Sequence, residues 1–250
     1  MAIGAAGGAA RWPRASEITW LSPEELVREG FRRSRVVMIN EAQGGLRRCV
    51  RNRRTGLRAL PVAWKAGARL LAMEALGPPG GEPPAPELLE QPDMSELIAA
   101  ARRLGFRLTG YDADGKTIPI SLRTKRKSPA FSNWRDDKQA RNLQTVLAEL
   151  GADGRMLVWA SNLHHTKVRF MAYQPTGWRF RVLTGVDPFV IDQTITVSFG
   201  EKRASSPILE WARPQLRRRG DEVGYVWREG LPRLSPGSDA WVLSLDNLME

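Results

Sequence analysis

The chain has 250 residues, 42% of them hydrophobic, and a formal charge of +11 with a pI near 10.6. That length supports one sizeable core rather than a string of domains. A single cysteine, Cys49, excludes an internal disulfide and a cysteine-built zinc site. No apolar run approaches the roughly 20 residues of a membrane helix, and the start of the chain lacks the apolar core of a secretory signal, so a cytoplasmic protein is expected.

Along the chain, residues 1–15 (MAIGAAGGAARWPRA) are small and glycine-rich and read as a flexible leader to a single domain over 16–250. In SPEELVREGFRRS, Ser22 is a natural N-cap, Pro23 suits the first helical position and Glu25 completes a capping box. The run RVVMI then reads as a strand, closed by Asn40, Glu41 and Gln43 and followed by Gly44 and Gly45. Leu46–Ala66, rich in arginine, predicts a helix, and RLLAM a second strand ending in Glu74. GPPGGEPPAPE, residues 77–87, can be neither helix nor central strand, so a loop insert over 77–90 is expected. SELIAAARRLG has helical spacing with a terminal glycine, FRLTGY is a strand reaching Asp112, and Trp134–Leu150 is helical after a basic loop. RMLVWAS is a fourth strand, delivering Asn162 and His164. Residues 178–199 suggest a helix and then the strand VIDQTITVSF, and Trp241–Leu245 a last short strand.

Helices alternating with strands that are apolar along their length predict an α/β fold: a largely parallel central sheet with helices on both faces. Ligands of such sheets bind beyond the carboxyl ends of the strands. Four successive strands here end in polar groups, namely Glu41 with Gln43, Glu74, Asp112, and Asn162 with His164. Glu41 and Gln43 are therefore expected to face a pocket, with Gly44 and Gly45 letting the backbone approach its contents. The bland alternative is a carboxylate capping the next helix or paired with an arginine. The adjacent His164 and His165 are the chain's two histidines, and neighbouring side chains diverge, so one of them is expected to face the site.

Several motif matches fail. GYDADGKT fits the phosphate-cradling G-x-x-x-x-G-K-[ST] pattern, but TIPISLR after it is β-branched and broken by Pro119, so the N-terminal helix amides are missing. The same segment lacks the downstream glutamate of a calcium loop, and no G-x-S-x-G elbow occurs. Arginine supplies 31 of the 38 basic residues, and residues 31–70 hold eleven Arg or Lys against Glu41 alone. An Arg47–Arg58 face binding a polyanion is thus a lesser possibility, without any nucleic-acid-binding motif to accompany it.

The ordered set NEAQ, AMEAL, RDDKQARN and NLHHTK resembles the erythromycin esterase superfamily, which includes the ChaN-like haem-binding proteins. The resemblance spans residues 35 to about 170. It matches Glu41, Glu74, Arg135 with Asp136 and Asn142, and Asn162 with His164 to the family's motif positions. Gln43 stands where the family has a histidine, and Gln139 where its helix motif has methionine. The resemblance implies a hydrolase-type protein without metal or cofactor, acting on an ester or lactone of a small molecule. His164, Glu41, Glu74, Gln43 and Arg135 would form the catalytic set, and Asn162, Asp112, Lys167 and Asn142 would contact substrate. In it His164 is the remaining base, oriented by Glu41 or Glu74, and Arg135 holds a carboxylate or stabilises an oxyanion. The alternative it implies is a non-catalytic ligand-binding protein on the same scaffold, a haem-binding version being one form of it. The expected partner is a small molecule, with no specific nucleic acid and no membrane.

Overall fold

The computed structural model describes residues 13, 18–198, 207–220, 222–245 and 248–249. After β1 (Trp20–Leu21), helix α1 (Pro23–Arg33) starts on the capping box: the Ser22 hydroxyl accepts from Glu25 N at 3.2 Å, and the Glu25 carboxylate accepts from Ser22 N at 2.6 Å. β2 (Val36–Glu41) is buried at all six positions, as a strand covered on both faces must be. It leads into a small hairpin, β3 (Gln43–Gly44) with β4 (Arg47–Arg48), whose turn has Gly45 at φ 64°. The two glycines therefore serve this turn, and α2 (Val50–Lys65) begins later than the Leu46 expected.

β5 (Ala68–Met73) runs into a short 3-10 turn, Glu74–Leu76. The insert over 77–90 is not wholly loop. Residues 86–90 form α3 (Pro86–Glu90), which buries Leu88. α4 (Pro92–Leu104) ends at Gly105 with φ 92°, β6 (Arg107–Gly110) follows, and α5 (Pro129–Glu149) starts five residues before Trp134, where Ser128 caps Phe131 N at 3.2 Å. β7 (Arg155–Ser161) and α6 (Thr176–Thr184) come next, then β8 (Phe189–Asp192). β8 is shorter than VIDQTITVSF because Asp192 Oδ1 accepts from Thr194 N at 2.8 Å and turns the chain out of the sheet; Phe199 lies outside the described residues. α7 (Pro207–Arg218), β9 (Glu222–Val226) and β10 (Ala240–Ser244) complete the domain.

The strands form one eight-stranded sheet in the order β1–β9–β10–β8–β2–β7–β5–β6. From β10 to β6 all neighbours run parallel, and β9 is antiparallel to both β10 and β1. Side chains of α1, α2 and α4, Leu97 among them, pack on Ile39 of β2 and Trp159 of β7 on one face of the sheet, and α5 with Phe180 of α6 closes the other face over Met38 and Val158. Two apolar layers around one sheet make a single α/β domain, as the apolar runs require. No helix among the described residues is long and apolar enough to cross a membrane.

Candidate functional site

Parallel pairing brings the ends of β2, β7, β5 and β6 to one edge: Glu41 pairs with Ser161, Met73 with Trp159, and Met73 with Gly110. Glu74 and Asp112 follow directly on their strands, and α5 supplies the cations and acceptors that meet them. Arg135 Nη2 donates to Glu74 Oε1 and to Asp112 Oδ2, both at 2.7 Å, and its Nε donates to Asp112 Oδ1 at 2.8 Å. Ser161 closes the other side of Glu74 through its amide (3.1 Å) and hydroxyl (2.8 Å). Burial raises the Glu74 carboxyl, but Arg135 and His164 outweigh it, and the group sits below the ordinary carboxylate range.

His164 Nδ1 lies 2.7 Å from Asp136 Oδ1, and the Tyr173 hydroxyl stands 3.2 Å from the same nitrogen. Burial works against a charged imidazole here, yet the Asp136 and Glu74 carboxylates carry His164 up to about 9. It is an imidazolium at neutral pH, with Nδ1–H donated to Asp136. The carboxylate that orients it is thus Asp136, rather than Glu41 or Glu74 as the sequence suggested. Asp136 Oδ1 also accepts from Thr176 N at 2.8 Å, so one carboxylate positions both the histidine and the first residue of α6. Thr176 Oγ1 lies between Asp136 Oδ1 (2.7 Å) and Gln139 Oε1 (2.6 Å), and Gln139 Nε2 donates to Asp112 at 2.8 Å. Gln139 thereby ties the Arg135 end of the cluster to the His164 end. His165 points elsewhere: burial pushes its imidazole down to about 4, against Asp192.

Other sequence candidates have different employment. Glu41 is 2% exposed and faces α2, where Arg53 Nε donates to it at 2.6 Å. Burial pushes its carboxyl above the ordinary range against the pull of Arg53. Arg53, itself fully buried, also holds Asp93 at 2.8 Å and Gln91 at 2.7 Å. Gln43 is half-buried; its amide reaches Gly45 O at 3.3 Å, while its backbone N–H and C=O are both paired with the Asn162 side chain. Asn162, at φ 46°, is therefore a clamp between two strand ends. Asn142 donates to Tyr111 O and Asp112 O, satisfying backbone where β6 ends. Lys167 is not at this edge: it pairs with Asp187 at 3.1 Å and Asp239 at 2.8 Å, and Asp187 precedes the amino end of β8.

The expected Arg47–Arg58 face is present only in part, with Arg47 and Arg54 exposed. Arg53 is interior, Arg48 is held by Asp93 at 3.2 Å, and Arg58 pairs with Glu24 and Glu222. Three residues that matter to the cluster went unnoticed in the sequence: Tyr173, Thr176 and Ser161. A signal existed for α5, because Asp136, Gln139, Ala140 and Leu143 share one buried helical face, and two polar residues on such a face mark a network.

No protein-family model matches the chain, and no curated protein sequence does. Among solved structures, a protein from Bacillus cereus is similar in fold, with TM-score 0.56 at 12% identity over 92% of this chain and 93% of that one. ChaN of Campylobacter jejuni, whose structure describes cofacial haem binding, gives TM-score 0.49 at 10% identity over 94% and 99%. The type III effector HopBA1 gives 0.48 at 16% identity over 92% and 97%. The likeness to the Bacillus protein is one of fold alone.

Proposed function

We propose that the Glu74–Arg135–Asp136–His164 cluster is a hydrolase-type site acting on an ester or lactone of a small molecule. The observation that carries this reading is the Asp136–His164 contact at 2.7 Å, which engages Nδ1 and leaves Nε2 as the ring nitrogen available to a substrate. A histidine held at about 9 enters the cycle as an acid: Nε2–H protonates the departing alkoxide, and Asp136 stabilises the charged ring. Arg135 shares two carboxylates and offers its remaining guanidinium hydrogens to a developing oxyanion.

Water activation is the weak half of the chemistry. Glu74 accepts from Arg135 and twice from Ser161, and its lowered carboxyl is a poor base. Gln43 titrates nowhere near neutrality. Losing a general base typically removes about 10² to 10⁴ in rate, so turnover by the natural chain is expected to be slow. Gln43→His adds an acceptor in β3, just past β2, and hydrolysis of p-nitrophenyl esters or macrolactones should then rise over the parent, with His164→Ala abolishing the gain. A parent as active as Gln43→His would sink the missing-base argument.

The full engagement of Glu41, Glu74 and Asp112 by arginines favours one second reading, a binding protein without turnover on the same scaffold. All variants folded and none active would select it. For a haem, His164 Nε2 would be the ligand this arrangement leaves free, since Tyr111 and Tyr225 are buried with their hydroxyls on Trp159 O and Pro232 O, His165 is buried, and Tyr173 is bound to Asp136.

A further inference from the structure

We propose that the carboxyl edge of the sheet, around the mouth of the His164–Arg135 cluster, docks onto the surface of a bilayer containing anionic lipid. The segment from Gly115 to Trp134 carries Lys116, Arg123, Lys125, Arg126 and Lys127 and no acidic residue. All five cations are exposed, and none is ion-paired among the described residues. In their midst Ile120 is 81% exposed. The segment is nonetheless built in place: Asp114 Oδ1 accepts from Lys116 N at 2.8 Å, Ile118 is buried, and Ser128 caps α5. It joins the carboxyl end of β6 to the amino end of α5, which puts it on the same edge as Arg135.

A second element on this edge presents an apolar tip. Phe170 and Tyr173 exchange backbone hydrogen bonds of 2.9 and 2.8 Å, making a tight turn in which Met171 has φ 50° and is 98% exposed. Glycine or asparagine suits such a position, whereas methionine is strained there and gives the core nothing. Asn133 anchors the turn to α5, donating to Ala172 O at 2.7 Å and accepting from Gln174 N at 2.8 Å. Tyr173, at the foot of the turn, touches His164. Leu163, beside His164, is a further exposed aliphatic at 42%.

Unpaired cations interspersed with protruding aliphatic tips match an anionic bilayer interface, where lysine and arginine meet head groups and apolar tips enter the acyl boundary. Nucleic acid fits less well, because binding there gains from aromatic faces that stack on bases. The rings on this segment, Phe131 and Trp134, are half-buried against each other at 5.6 Å between centroids. Docking would set the His164 site against the lipid surface and direct it to amphiphilic substrates.

The test is co-sedimentation of the full chain with vesicles of phosphatidylcholine alone and of phosphatidylcholine with phosphatidylserine, a readout independent of turnover. Binding to the anionic vesicles alone, weakening with salt, is expected. Each cation removed should lower affinity about fivefold, so Lys125→Gln, Arg126→Gln and Lys127→Gln together should lower it about a hundredfold. Ile120→Ser and Met171→Asn, which leave the charge unchanged, should weaken it further. No sedimentation with anionic vesicles at low salt overturns the proposal. So does binding indifferent to Ile120→Ser and Met171→Asn, or tighter binding of a poly-uridine oligonucleotide than of the vesicles.

Discussion

Asp136 Oδ1 stands 2.7 Å from His164 Nδ1 although the two residues are 28 apart in sequence and lie on different elements. Asp136→Asn keeps the size and an acceptor oxygen but removes the charge. The expected result is a fall in the His164 pKa by roughly one to three units from about 9, followed by NMR titration of the imidazole carbon-bound protons. An unchanged pKa would show that Glu74 alone sustains the charge. Because the folded-state value is raised above the ordinary 6.5, the stabilisation is complete below about pH 6.5 and is lost as pH rises through about 9. This group should make the chain less stable at pH 9 than at pH 6 by on the order of 3 kcal/mol, and Asp136→Asn should flatten that dependence.

Removing Arg53 should be among the most damaging single changes. Its guanidinium is the partner of the buried Glu41 and also binds Asp93 and Gln91. Arg53→Met leaves a carboxylate in the interior without its cation, for an expected loss of about 3 to 5 kcal/mol in denaturant unfolding. Adding Glu41→Met should recover part of that loss. A double variant as unstable as the sum of the two single variants would show the pair to be uncoupled.

Gly177 sits at the second position of α6, and a Cβ there would run into the backbone carbonyl of His165. Gly177→Ala is expected to push α6 off the His164–His165 turn, breaking the Gly177 N–His164 O bond of 2.9 Å. A destabilisation of about 2 kcal/mol or more should accompany a displaced His164 titration. Normal stability together with an unshifted histidine would mean that the turn adapts freely.

Asn162→Ala should loosen the join between β2 and β7. The variant loses both side-chain bonds to the Gln43 backbone and places alanine at φ 46°, for an expected loss of about 2 kcal/mol. Asn162→Gly relieves the backbone strain without restoring the bonds, so it should fall between parent and Asn162→Ala. Faster amide exchange at Gln43 in both variants is the local signature to measure.

The sheet was readable in the sequence because VVMI, RLLAM and RMLVWAS are apolar at consecutive positions, which only a strand covered on both faces requires. The first turn of α1 was readable because its cap is local: Ser22 and Glu25 are three residues apart. β1 was not, since two residues carry no periodicity and Trp20–Leu21 is a strand only by pairing with Gly224 and Tyr225. The sequence pattern starts α5 five residues late, because its true start depends on the Ser128 cap within a basic segment that otherwise reads as loop.

By itself, then, the sequence determined the α/β class and that Glu74, Asp112 and Asn162 with His164 close strands, because burial pattern and strand ends are encoded residue by residue. Tertiary structure alone decided which polar group meets which. Glu41 turned to Arg53 and left His164 to Asp136, while Lys167 went to Asp187 and Asp239. A buried charge settles on whichever opposite charge the packing of distant helices brings within about 3 Å, and strand-end spacing contains no record of that partner.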